Sequence, residues 1–215
     1  MEPTAPRVAQ RLACVVLAAG GSRRLGTPKQ LVRMRLTPLL VHALHAAAEL
    51  PVIQPITVVL GSHALRLRTL LRRREVAARI VYNARWGDGL ATSLQAGVRA
   101  VPRDAAAVLV LLVDQPNVGA EELRRLIRAW QRRPTLPAAA RYDGRTGVPA
   151  ILPKSSWRAL RALHGDAGAR ALLRDAAAIT AVAMPEAAVD IDTPADADRL
   201  LGVGSSDPTP PSASL

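Results

Sequence analysis

Three apolar runs, Ala13–Ala18, Ile56–Leu60 (interrupted only by Thr57) and Ala107–Val113, are separated by amphipathic stretches of helical length. An unbroken apolar run, unlike an alternating one, describes a strand covered on both faces. Neighbouring parallel strands need crossovers of about a dozen residues, and each gap is long enough for one. Weaker strand candidates lie at Arg79–Tyr82, Ala138–Arg141, Val148–Leu152 and Ile179–Ala183. Helical patterns cover Pro38–Leu50, His63–Arg74, Leu90–Ala100, Ala120–Gln131, Lys154–Leu163, Ala167–Asp175 and Pro194–Leu201. Strands alternating with helices predict a three-layer α/β/α domain around a mostly parallel, Rossmann-like sheet.

The length of 215 residues suits one such domain, expected over residues 12–202. Residues 1–11 are expected to be flexible. The shift to Gly, Ser and Pro after Leu201 predicts a disordered tail over 203–215. Arg7 and Arg11 before Leu12–Gly20 superficially resemble a signal peptide, but the apolar part is only nine residues and runs into Gly21-Ser22-Arg23-Arg24. We read it as a buried strand. No apolar run reaches the ~18 residues of a membrane span, so a cytoplasmic protein without membrane association is expected. The single Cys14 excludes an internal disulfide framework and a cysteine-based zinc cluster.

A net charge of +12 points toward a polyanion: nucleic acid, an anionic surface or a phosphorylated small molecule. Phe is absent and Trp plus Tyr total five, which disfavours a single-strand nucleic-acid binder that stacks bases on aromatic rings. The arginine clusters Arg66, Arg68, Arg72–Arg74 and Arg124, Arg125, Arg128, Arg132, Arg133 follow predicted helices and read as their solvated faces. No helix-turn-helix, zinc-finger or RNA-recognition pattern accompanies them, so no nucleic-acid partner is expected.

The most informative segment is Leu17-Ala18-Ala19-Gly20-Gly21-Ser22-Arg23-Arg24-Leu25-Gly26-Thr27-Pro28-Lys29. A buried strand opens there into a loop carrying glycines, Ser22, two arginines and one of only two lysines. Glycines let backbone N–H groups approach phosphate oxygens, and Arg and Lys add charge-assisted hydrogen bonds. Open α/β sheets bind ligands beyond the carboxyl ends of their strands. Neither the P-loop nor the Gly-x-Gly-x-x-Gly spacing is met. Asp114, directly after the strand at 107–113, faces the same crevice, where a carboxylate beside a triphosphate holds Mg2+. The alternative is a simple turn before Pro116.

Leu-Ala-Ala-Gly-x-Ser-x-Arg-Leu-Gly-x-Pro-Lys resembles the signature loop of the MobA-like nucleotidyltransferases, and more narrowly that of the molybdenum cofactor cytidylyltransferases, over roughly residues 12–201. The resemblance implies a GT-A-like fold and a nucleoside triphosphate on Leu17, Ala18, Ala19, Gly20, Gly21, Ser22, Arg24 and Lys29. Ala18-Ala19-Gly20 leans toward CTP, where related guanylyltransferases read Ala-Gly-Gly. Arg24, Lys29 and Asp114 are the implied catalytic residues. Val189-Asp190-Ile191-Asp192-Thr193-Pro194-Ala195-Asp196 is similar to a family motif that makes Asp192 the second metal carboxylate, with Asp190 behind it. The same residues also read as a helix start, with Thr193 or Asp192 as cap and Pro194 at the first position.

Asn83-Ala84-Arg85-Trp86-Gly87-Asp88-Gly89-Leu90-Ala91-Thr92-Ser93-Leu94 resembles the family segment that approaches base and sugar. Gly89 and Ser93 are nucleotide candidates, while Trp86 reads as a packing anchor. Gly147-Val148-Pro149 and Leu163-His164-Gly165-Asp166-Ala167-Gly168-Ala169-Arg170 resemble family segments near the acceptor. Gly147, Pro149, Asp166 and Arg170 are therefore acceptor candidates, with a helix cap as the alternative for Asp166. The implied reaction moves CMP from CTP to the phosphate of a molybdopterin-type acceptor with Mg2+ and releases pyrophosphate. A client molybdoenzyme or its chaperone is a candidate partner, and a monomer or homodimer is expected. GTP or another phosphorylated acceptor, and an NAD(P)H-dependent oxidoreductase relative, are the alternatives.

Overall fold

Burial decides the centre of the sheet: β1 (Leu12–Ala18) is buried along its whole length. The computed structural model describes residues 11–175 and 178–201. The expected flexible start and the expected tail over 203–215 lie outside the described residues, except Arg11. Its carbonyl accepts the Ala106 N–H at 2.9 Å, and its guanidinium pairs with Asp104.

After β1 come a short hairpin, β2 (Arg33–Met34) with β3 (Thr37–Pro38), then α1 (Leu39–Ala48), β4 (Ile53–Leu60), α2 (Ala64–Arg73) and β5 (Arg79–Tyr82). The middle of the chain forms α3 (Leu90–Arg99), β6 (Ala107–Leu112) and α4 (Ala120–Arg132). A hairpin follows, β7 (Ala138–Tyr142) and β8 (Arg145–Pro153), and then α5 (Trp157–Arg161), α6 (Ala169–Asp175), β9 (Thr180–Ala183) and α7 (Pro194–Leu201). The seven-stranded sheet has the order β5-β4-β1-β6-β8-β7-β9. Every neighbouring pair is parallel except the two that β8 makes with β6 and β7.

The strands that read as apolar runs have a partner cluster on each face. Leu12, Cys14, Val16 and Ala18 of β1 pack with residues of α1, α2 and α4, while Ala13, Val15 and Leu17 pack with α3, α5 and α6. That period of two with helices on both sides is the three-layer arrangement expected from the sequence. At about 25 cal/mol per Å2 of apolar area, this double-sided burial is the main favourable term of the fold.

Two local differences from the expected elements have physical causes. Arg35-Leu36, which falls between the expected elements, is the turn of the β2–β3 hairpin; Arg35 adopts φ +56, a left-handed conformation that glycine would take without steric cost. The helix expected over Ala167–Asp175 begins only at Ala169, after Gly168, whose Cβ would meet the Leu90 side chain at 2.6 Å. Asp166 is therefore not its cap.

A third, smaller cluster matters most for the site. Leu25, Leu39 and Ile191 are buried together, with Val32, Met34, Ala197 and Leu200 packed on them. It fastens the loop after β1 to the segment before α7. That segment is also tied to β6, because the Ile191 N–H donates to the Asp114 carbonyl at 3.0 Å. α7 starts with a reciprocal cap. The Thr193 N–H donates to Asp196 Oδ2 at 2.8 Å, and the Asp196 N–H donates to Thr193 Oγ1 at 3.3 Å. The Thr193 hydroxyl, which donates to Asp196 Oδ2 at 2.8 Å, together with the backbone N–H groups of Thr193 and Asp192, holds the Asp196 carboxyl well below the ordinary carboxylate range.

Candidate active site

A cleft of about 550 Å3 opens beyond the carboxyl ends of β1 and β6. The loop after β1 supplies one wall. Its backbone is set from beneath by Gln30, which is buried and donates its side-chain N–H to the carbonyls of Ala18 and Gly20, both at 2.9 Å. The loop's other neighbour is Gly61. The Ser62 N–H donates to the Ala19 carbonyl at 3.0 Å, and a Cβ on Gly61 would sit 2.6 Å from that carbonyl oxygen. A Cβ on Gly20 would instead meet nothing within 4 Å. The glycine at position 20 thus faces open space in the cleft, where a phosphate can approach the backbone.

Three charged residues converge at the floor. The Lys29 ammonium donates to Asp114 Oδ2 at 2.6 Å and to Asp192 Oδ1 at 3.0 Å. Arg24 donates to Asp192 Oδ2 at 2.8 Å. Lys29 and Asp114 are largely shielded, with side-chain exposures of 17% and 15%, whereas Arg24 is 72% exposed. The inner pair therefore interacts in a poorly screened environment, and the outer arginine contributes little to stability. Burial alone would lower the Lys29 pKa, but the two carboxylates outweigh it and hold it above the ordinary lysine range. Burial would raise Asp192, and its bonds to Lys29 and Arg24 more than reverse this. Asp190 reaches solvent, yet partial desolvation and the nearby Asp114 and Asp192 charges push its carboxyl up to about 6 against the pull of Lys29 and Arg145.

The same floor fits a divalent cation. Asp114 Oδ1 is buried and accepts no hydrogen bond among the described residues. Asp114 and Asp192 lie within reach of one ammonium, so their carboxylates are close enough together to share a cation. Among the described residues no group of three or more His, Cys, Asp or Glu is placed to hold a metal. Two carboxylates completed by phosphate oxygens and water are a coordination typical of Mg2+, which dehydrates reluctantly.

Of the residues expected at the nucleotide, Leu17, Ala18, Ala19, Gly20, Gly21, Arg24, Lys29, Gly89, Ser93 and Asp114 all line this cleft. Ser22 does not: it adopts φ +51, and its hydroxyl accepts the Lys29 backbone N–H at 2.9 Å, which shapes the loop. Ser93 is buried, not a surface cap, and its oxygen accepts from the Asn83 side chain at 2.9 Å. Its own hydroxyl proton remains available to the cleft. Gly89 opens α3 with φ +105 and lies so close to the loop carrying Asp166 that a Cβ would sit 2.2 Å from the Gly165 carbonyl carbon. Trp86 packs against this wall, its ring 3.2 Å from where a Gly21 Cβ would be.

The four acceptor candidates do not gather in one place. Asp166 lines the same cleft as the nucleotide candidates. Arg170 lines a neighbouring cleft on the far side of the 165–169 segment. Gly147 and Pro149 are buried and face neither. A Cβ at Gly147 would strike the Tyr142 hydroxyl at 2.5 Å, and the strand is held by Gln115, which donates to the Val148 and Ala187 carbonyls at 3.0 and 2.8 Å. The small residues of Gly147-Val148-Pro149 are explained by this packing. Gln30 and Gln115, the two buried amides that set the site's walls, were not singled out from the sequence. A lone glutamine gives no signal until its backbone partners, 12 and 33 residues away, are known.

Gln30 carries a direct expectation. Gln30→Ala leaves two carbonyls unsatisfied under the loop and opens a void, a loss of about 2 kcal/mol. Thermal unfolding should shift down, and nucleotide affinity should fall with it.

A glycine-shaped cradle, a lysine bridging two carboxylates and an open parallel-strand crevice together define a nucleotidyltransferase site. The chain belongs to the MobA-like NTP transferase domain family, whose model matches residues 14–181. It is similar to the solved structure of Rv0371c from Mycobacterium tuberculosis H37Rv, at 30% identity and a TM-score of 0.76, over 91% of this chain and 100% of that one. The same protein has also been solved in complex with manganese, and there the identity is 28% and the TM-score 0.73. Molybdopterin-guanine dinucleotide biosynthesis protein A from Archaeoglobus fulgidus shares the fold, with a TM-score of 0.68 at 18% identity, over 89% of this chain and 97% of that one. The bifunctional protein GlmU of Rhodococcus opacus (strain B4) is 36% identical over 136 residues, 59% of this chain. The matched stretch spans only 26% of that protein's length. No helix among the described residues is long and apolar enough to cross a membrane.

Proposed function

We propose that the protein is a cytidylyltransferase that moves CMP from CTP to the terminal phosphate of a molybdopterin-type acceptor and releases pyrophosphate. The observation that carries the transferase chemistry is Lys29 bridging Asp114 and Asp192 below the glycine loop. The choice of CTP rests on Ala18-Ala19-Gly20, and that of a pterin phosphate on the resemblance of the loop at 17–29 to that of the molybdenum cofactor cytidylyltransferases.

In this reading an acceptor phosphate oxygen bonds to the α-phosphorus while the bond from that phosphorus to the bridging β-oxygen breaks. The electron pair leaves with pyrophosphate, so no protein nucleophile is needed. A divalent cation held by Asp114 and Asp192 would neutralise charge on the triphosphate, and the solved manganese complex of the Rv0371c relative supports a divalent cation. Backbone N–H groups of the loop from Ala19 to Gly21 bind phosphate oxygens. Arg24, exposed at the rim, and Lys29, at the floor, supply positive charge to the departing pyrophosphate. Gly89 and Ser93 orient the sugar. Catalysis is then positioning and electrostatic stabilisation, which together supply most of the rate in reactions of this kind.

The test is pyrophosphate release from purified protein, MgCl2 or MnCl2 and molybdopterin with each of the four NTPs. CTP-dependent release, lost in Asp114→Ala, is the expected result. Release with GTP alone moves the nucleotide assignment, and no release with any NTP and a competent acceptor overturns the reading.

A further inference from the structure

Four arginines surround a second cleft, of about 470 Å3, beside the first: Arg141 at the end of β7, Arg145 at the start of β8, and Arg170 and Arg174 on α6. All four are exposed. Among the described residues, the acidic partner in an ion pair with any of the four is Asp143, 3.8 Å from Arg145. Arg170 and Arg174 are four residues apart on one helix, a spacing that places like charges side by side at a cost to the helix. Arg141 and Arg145 flank the tip of a hairpin that packs against that helix. Nothing in the packing of the core requires these charges to converge. A cluster of like charges opposes the compact state unless an anion balances it.

Arg145 sits over the Tyr142 ring, its guanidinium 5.5 Å from the ring centre, which places it at the hairpin end of the cleft. The segment between Asp166 and Arg170 separates the two clefts, with one end on each. The arginine groove therefore lies next to the nucleotide cleft without sharing its phosphate loop.

We propose that Arg141, Arg145, Arg170 and Arg174 form a second anion site that holds a non-reacting anionic group of the acceptor, so that the preferred acceptor carries at least two anionic groups. The acceptor role rests on the transferase reading above; the anion site itself does not. Guanidinium groups arranged around a groove suit phosphate or carboxylate oxygens, which they bind through paired N–H donors.

The probe is inorganic pyrophosphate, titrated calorimetrically at low ionic strength without metal. Wild type is expected to show two sites. Arg141→Ala/Arg174→Ala should lose one of them, with at least about tenfold weaker binding there, while Lys29→Ala should lose the other. Arg68→Ala/Arg72→Ala removes the same charge from exposed positions on α2 and should change neither site. A single site in wild type, abolished by Lys29→Ala, overturns the groove, and so does a second site weakened equally by the α2 variant. In turnover assays the groove variant should raise the KM for the acceptor about tenfold or more with the KM for nucleotide unchanged. Two calorimetric sites with an unaltered acceptor KM overturn the acceptor role. If wild type turns over no nucleotide at all, the transferase reading fails and calorimetry alone decides the groove.

Discussion

Lys29→Met is expected to lower kcat/KM for pyrophosphate release by about 100- to 1,000-fold, the usual effect of removing one well-placed charge donor from a transition state. Methionine keeps the length and the apolar stem of lysine but removes the ammonium that Asp114 and Asp192 share at 2.6 and 3.0 Å. Two partly shielded carboxylates are then left facing each other without their common cation. The variant should also be less stable by about 1–3 kcal/mol, since the loss of one partner leaves the other charges uncompensated. The pH dependence separates this effect from a general loss of packing. Lys29 has a folded pKa above its ordinary value of ~10.4, so its contribution is complete below that value and disappears as pH rises through the folded pKa. Asp192 is lowered, so its contribution is present above the ordinary carboxylate pKa and is lost as pH falls through its depressed value. The stability gap between wild type and Lys29→Met should therefore be widest between about pH 4 and pH 10 and narrow on both sides. A gap that does not vary with pH in urea unfolding would contradict the ion-pair assignment.

Gly89→Ala should be the most damaging single-methyl change in the site. Position 89 has φ +105, and the added Cβ would lie 2.2 Å from the Gly165 carbonyl carbon and 2.8 Å from the Asp166 nitrogen. Backbone strain and overpacking each cost about 1–3 kcal/mol. In a domain of this size each kcal/mol lowers Tm by roughly 2–4 °C, and nucleotide binding should weaken as the 165–166 loop is pushed from the cleft. Gly20→Ala is the matched comparison. Its Cβ meets no protein atom within 4 Å, so Tm should be unchanged while nucleotide affinity falls because the methyl stands where a phosphate approaches. Equal Tm losses in the two variants, measured by differential scanning calorimetry, would refute the division of labour between these glycines.

Much of the architecture was legible in the chain because buried parallel strands leave an unmistakable trace. Val15, Val58 and Val110 lie in uninterrupted apolar runs, and all three fall in central strands. The antiparallel β8 was harder to orient, since Val148–Leu152 gives direction only once paired with β6 and β7. The charged floor was half visible. Asp114 follows the end of β6, and Arg24 and Lys29 lie in the loop that leaves β1, positions that point toward a ligand. Asp192 came only from a motif, and the reason it reaches Lys29 is the Leu25, Leu39 and Ile191 cluster, formed by three residues distant in sequence. The burial of Gly147 and Pro149 beside Tyr142 was not legible, because small residues in a motif look alike whether they admit a ligand or a neighbouring ring.

That small cluster has a consequence for how the site is completed. Arg24 and Asp192 are joined across 168 positions, so the floor is whole only when the segment before α7 docks against the loop after β1. Trimming the chain to the family-matched stretch, which stops at residue 181, would remove Asp192 itself.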